Sequence, residues 1–254
     1  MSHTENKEKR EVDYEWAERQ AYFKNLKAFL KNPFDNESLK RMQSYSKKHF
    51  IPIDKVMSKV KEDEIFARNF VKDPVRQSIH ENEAAKFIKR NEHIKKFKKL
   101  PVSGANSLFL HEGKIITKKE KDLLNLPLKS VDFYWEIVDK SGETFHFYAS
   151  HKYTNEEGGA QDHQYTEQRK FLENANNSKM GNNVFFIALC EGNYYRKPNK
   201  KENKSRIDLM NENDISEQSI AIPLCDLDDY IENKISTPQP VKTKKRTLKK
   251  KTSI

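Results

Sequence analysis

The chain has 254 residues, 35% of them hydrophobic, 34% charged and 11% aromatic, with a formal net charge of +10. The aromatic content excludes wholesale disorder, and the excess of Lys and Arg makes a polyanion a plausible partner, because phosphate binding releases counterions. No stretch reaches the ~18 apolar residues of a membrane span, and the polar opening MSHTENKEKRE lacks the apolar stretch of a signal peptide, so a cytoplasmic protein is expected.

Residues 1–12 are charged and expected to lie loose. The spacing of Trp16, Phe23, Leu26 and Leu30 predicts an amphipathic helix over 13–31, ended by Asn32-Pro33. Two further helices follow over 36–50 and 53–72, broken at Pro52. Asp73-Pro74 reads as an N-cap with proline at the first helical position. The helix it opens is expected to run to about Lys98, with Ile79, Phe87, Ile88, Ile94 and Phe97 as apolar positions.

At Pro101 the texture changes. LPVSGANS reads as a loop and LFLHEGKIIT as a short hairpin. Val131, Phe133, Trp135 and Ile137 alternate with Asp132, Tyr134 and Glu136, the period of a strand. After the turn DKSG, residues 143–153 alternate again. His146, Tyr148, Ser150 and Lys152 share one face; Phe145, Phe147, Ala149 and His151 share the other. His151, directed away from Lys152, is expected to be packed. A helix over Ala160–Asn176 leads to NNVFFIALCEG, a continuous apolar strand of the kind buried on both faces and joined in parallel through the helical crossover. Residues 196–216 read as a polar loop, IAIPLCDLDDYIEN as a short strand and helix, and the sequence from Ser236 as a cationic tail.

The expected fold class is α+β or α/β: a helical N-terminal part and a mixed central sheet flanked by helices. The expected division is a helical region over 1–72, a core over 73–235 and a basic tail over 236–254. Cys190 and Cys225 lie in apolar runs far apart in sequence, which fits buried, reduced thiols and neither a disulfide framework nor a zinc site.

Three polar residues interrupt this apolar plan. Asp132 and Glu136 share a strand face, and Lys152 ends the next strand. An acid that holds Mg2+ and a lysine that orients a water are the working parts of phosphodiester hydrolysis, because the ion neutralises phosphate charge and acidifies its water. An exposed polar strand face would give the same spacing. The order of the neighbouring pieces adds to it. Glu81 sits about two turns into the helix KDPVRQSIHENEAAKFI; then come LPVSGANS, KSVDFYWE and HKYTNEEGGAQDHQ.

In that order these segments resemble the PD-(D/E)xK nuclease superfamily, and more narrowly its type II restriction endonucleases, over about residues 70–190. The resemblance implies that Asp132 binds metal, that Lys152 is catalytic and that Glu81 is the acid some members contribute from the helix before the sheet. This chain departs from the motif at Ser150, where the superfamily has Asp or Glu. Glu81 or Glu136 could supply the missing metal ligand, Ser150 could act through a water, or the core could be inactive. Between them, Glu81 is the better placed, since residues four apart on a strand lie about 13 Å apart.

The pair Gly158-Gly159 would let the backbone turn tightly off the second strand and approach a DNA phosphate. The helix beyond it would offer its free N–H groups to that anion. Gln161, His163, Gln164 and Gln168 on this helix are then candidate DNA contacts, glutamine being able to pair with adenine. The expected function is Mg2+-dependent, sequence-specific cleavage of double-stranded DNA, carried out as a homodimer because two strands need two sites. The alternative is a catalytically inactive nucleic-acid-binding protein with a nuclease-like core.

Overall fold

A computed structural model describes residues 11–155, 159–178, 180–198, 202–213 and 215–236. The predicted basic tail beyond 236, the charged residues 1–10 and Gly158 lie outside the described residues.

Asp13 caps the first helix, α1 (Tyr14–Lys31), its carboxylate accepting the Trp16 N–H at 2.8 Å. The buried face of α1 is Tyr14, Ala17, Leu26 and Phe29; Trp16, Phe23 and Leu30 point outward, against the sequence expectation that they share the packed face with Leu26. Next come α2 (Asn36–His49), α3 (Ile53–Glu62) and the short α4 (Glu64–Ala67). The single helix predicted over 53–72 divides because Asp63 turns its carboxylate to the Phe66 N–H, capping a new start. Leu26, Phe29, Met42, Val56, Val60 and Phe70 form a core of their own among these helices.

The fifth helix, α5 (Arg76–Ile88), is shorter than predicted at both ends. Asp73-Pro74 stays outside it, and Ile94–Lys99 forms a strand, β1. Ile94 and Phe97 imitate helical spacing, but this segment pairs antiparallel at the sheet edge, with a register shift between Ile94 and Lys96. The hairpin β2 (Leu108–His111) and β3 (Lys114–Thr117) forms as predicted and runs into α6 (Lys118–Leu123). The remaining elements are β4 (Phe133–Val138), β5 (Thr144–Tyr153), α7 (Gly159–Asn176), β6 (Val184–Glu191), α8 (Asn193–Arg196), α9 (Arg206–Asn213), β7 (Ser219–Ile222) and α10 (Leu227–Ser236). The helix α9 stands where a polar loop was expected; Ile207 and Met210, one turn apart, bury its inner face.

The five-stranded sheet has the order β1-β4-β5-β6-β7. β1, β4 and β5 pair antiparallel; β5, β6 and β7 pair parallel, β5 reaching β6 through α7. This is the expected mixed sheet flanked by helices. On one face Phe133, Trp135, Phe147 and Ile187 pack with Tyr14 of α1, Ala84 and Ile88 of α5 and Ile231 of α10. On the other face Ala188 and Cys190 pack with Leu172 of α7 and Met210 of α9, and Phe186 with Ala175. All eight residues of β6 are buried, as a strand covered on both faces requires. Cys190 is buried as expected; Cys225 is partly exposed, and both are free thiols. Among the described residues no helix is long and apolar enough to cross a membrane.

Candidate active site

The antiparallel register that sets Phe133 against Ala149 carries Asp132 to the end of β5. Asp132 immediately precedes β4. Its N–H donates to Ala149 at 2.9 Å, and its Oδ2 accepts the His151 N–H at 2.8 Å. The residue is only 7% exposed, and burial pushes its carboxyl up to about 6, against the pull of nearby Lys152. Glu81, in α5, adds to the rise, so the structure brings the two acids within electrostatic reach of one another. Glu81 is itself buried. Its carboxylate takes the Lys99 ammonium at 3.0 Å and the Gln77 amide at 3.0 Å.

Lys152 stands near the C-terminal end of β5 on the α7 side of the sheet. Its Nζ lies 3.3 Å from Oε2 of Glu167, a residue of α7 that sequence reasoning missed. Burial works to raise the Glu167 carboxyl, but Lys152 and Lys129 outweigh it and hold the group below the usual range. Lys129 reaches Glu167 at 3.1 Å from the segment before β4, and His163 approaches at 3.7 Å. The spacing Gln164, Glu167, Gln168 on a helix following Lys152 was the available signal.

Of the other predicted residues, Glu136 does not join the site. Four residues along the strand from Asp132, it bonds the Tyr134 hydroxyl and the Lys96 ammonium on β1, and those two partners hold its carboxyl low. Its assignment as a metal ligand is therefore corrected. Gln168 is also corrected as a DNA contact. It is fully buried, with its amide nitrogen donating to the Ser150 carbonyl at 3.4 Å. Ser150 itself is buried on the strand. Gln164 is partly buried and accepts the Thr154 hydroxyl at 2.6 Å. Gln161 lines, with Gln164, Lys152, Arg76 and His80, a cleft of about 370 Å³ between α1, α5 and the start of α7. His163 is exposed, and Gly159 begins α7.

His151 is packed, as its side of the strand predicts. It meets the Tyr14 hydroxyl at 3.0 Å through Nε2, and burial drives its pKa down to about 3.

Among the described residues no group of three or more His, Cys, Asp or Glu side chains converges as a metal site. Magnesium asks for less, one or two carboxylates with waters completing its shell. Asp132 fits that role. It is a buried acid whose ionised form is destabilised by its surroundings and would be stabilised by a cation. Glu81 lies within electrostatic reach of Asp132, and Glu167 shares Lys152 with it; each of these two glutamates is already paired with a lysine. Comparison of the chain with protein-family models, curated proteins and solved structures finds no match.

Proposed function

We propose that this chain hydrolyses phosphodiester bonds of duplex DNA as a Mg2+-dependent endonuclease of the type II restriction kind. The observation that carries the reading is the position of Lys152. A lysine near the end of a central strand, beside a buried aspartate and next to a helix-borne glutamate, is an arrangement for handling a phosphate. Asp132 would hold the ion, with Glu167 as the acid that takes over from Ser150 and Glu81 as the further candidate. Bound Mg2+ would neutralise phosphate charge and acidify its water. Lys152 would release Glu167 as DNA enters and turn its ammonium to a phosphate oxygen or the attacking water. Gln161 and the cleft beside it supply a path for the backbone on one side, and exposed Lys129 supplies a cation on the other.

One observation favours the second reading, a nucleic-acid-binding protein without activity: Glu81 and Glu167 are both occupied by lysines, and Ser150 cannot replace them. The two are separated by incubating the full chain with DNA of genomic complexity, with Mg2+ or with EDTA. Discrete fragments that appear only with Mg2+, and disappear with Asp132→Asn, are expected. Salt-sensitive binding with every DNA molecule left intact would favour the second reading instead.

A further inference from the structure

We infer that the outward face of α1 is a two-fold interface between two copies of this chain. This does not rest on the nuclease reading. Trp16, Phe23 and Leu30 are 55%, 47% and 45% exposed. They recur every seventh residue, so they form one stripe along the 18-residue helix. Large apolar side chains aligned on an otherwise charged surface mark an interaction site.

The stripe is built for its own copy. A two-fold axis beside Phe23 lays α1 antiparallel on its partner, Phe23 against Phe23, Trp16 against the stretch around Leu30. Gln20, Phe23, Lys24, Lys27, Ala28 and Lys31 line a depression that borders the stripe on one side. An indole seated there has Lys27 and Lys31 beside its ring, a favourable cation–π setting. The charges agree with the same direction. The exposed acid Asp13 lies at the start of the helix, and exposed Lys24, Lys27 and Lys31 lie towards its end. Antiparallel packing therefore sets acidic end against basic end and opposes the two helix dipoles. The like-charged meetings, Arg19 with Lys27 and Lys24 with its own copy beside the axis, are between long exposed stems that can turn to solvent. A single helix face is small for a specific interface, so a dimer that dissociates at micromolar concentration is expected.

Sedimentation equilibrium of the full chain tests this. A reversible monomer–dimer equilibrium is expected, surviving high salt because its centre is apolar. Trp16→Glu and, separately, Leu30→Glu should each weaken it by about 100-fold or more, as loss of an apolar anchor does. Both positions are exposed, and circular dichroism checks that each variant is folded. In a Cys225→Ser background, Phe23→Cys should form a covalent dimer on mild oxidation, because a residue on the axis meets itself; Leu123→Cys, on a more exposed leucine away from the stripe, should not. A chain that stays monomeric across the micromolar range overturns the inference. So does a dimer that both charged variants leave unchanged, or a Phe23→Cys chain that fails to cross-link.

Discussion

The Asp132 carboxylate accepts the backbone N–H of His151, and burial moves the pKa values of the two side chains in opposite directions. The folded-state pKa of Asp132 is raised to about 6 from 3.8, so the stability it contributes is present below about pH 4 and lost as pH rises through 6. His151 is lowered to about 3 from 6.5, so its contribution is present above about pH 6.5 and lost as pH falls towards 3. Between pH 4 and 6 the two slopes oppose. Asp132→Asn keeps an oxygen for the His151 N–H and removes one of them. Without divalent ions at pH 7, it should raise the unfolding free energy by up to about 3 kcal/mol. Its stability should also climb more steeply than the parent's between pH 4 and 6. Urea denaturation across that range measures both, and an unchanged profile would show that the carboxyl is not under strain. Glu167→Gln should lower cleavage by on the order of 100-fold or more, with the fold intact. Glu136→Gln, whose carboxylate is spent on Tyr134 and Lys96, should leave the rate nearly unchanged. Equal loss in the two variants, or none in either, would remove Glu167 from the site. Asp132 and Lys152 were legible because strand alternation fixes where each lies. Gln168 was misread although its direction was also legible: it shares a helix face with Tyr165, Leu172 and Ala175, which the sheet buries or partly buries. A polar residue in an apolar stripe is turned inward by its neighbours, whatever it would contact if exposed.

The elements themselves were legible wherever the side chains pack on one face. β4, β5, α7 and β6 follow their periodicity to within about two residues at each end. β1 was not, because its identity comes from outside it. IKKFKK has too few apolar residues to declare a period, and the free edge of β4 decides. Its exposed lysines suit an edge, since a charged rim discourages further strands from adding. The turn after β6 is equally tertiary in origin. Gly192 has φ +93°, and a Cβ there would overlap the carbonyl oxygen of Thr154, two residues beyond Lys152. Tyr194 donates its N–H to that same carbonyl. Gly192→Ala should therefore cost at least about 2 kcal/mol, read by chemical denaturation. It should also depress cleavage by displacing the end of β5. A cost below about 0.5 kcal/mol would mean that this junction yields easily.

At the scale of the whole molecule, composition foretold a basic surface, and the fold distributes it. Lysines line the edge strand, the helix after the hairpin and the segment that reaches Glu167. The sequence VKTKKRTLKKK adds further positive charge beyond Ser236. Deleting residues 238–254 should weaken binding to nonspecific DNA and flatten its dependence on salt, measured by titration at several ionic strengths. Any preference for sequence should survive, because phosphate contacts position a protein without reading bases. A truncated chain with altered preference would assign base reading to the tail. The meeting of Glu81, Lys152 and the start of α7 was expected only through the resemblance, while Glu167 as the partner of Lys152 was not read in advance. The meeting depends on how separate helices dock on the two faces of one sheet.

The placement of β6 bears on how the chain is made. β4 and β5 adjoin in sequence and can zip together as soon as both have left the ribosome. β6 can pair with β5 at once, but its other edge must wait for β7, which is not synthesised until Ser219–Ile222. Until then VFFIALCE, apolar along nearly its whole length, is a bare edge, the kind of segment that recruits copies of itself. Chains that terminate before Ser219 should therefore collect in the insoluble fraction, whereas chains ending after Ser236 should not, and expression of the two lengths side by side would show it. The stretch from Ser219 to Ser236, which holds β7 and α10, thus acts as the closing seal on a strand the ribosome has already released.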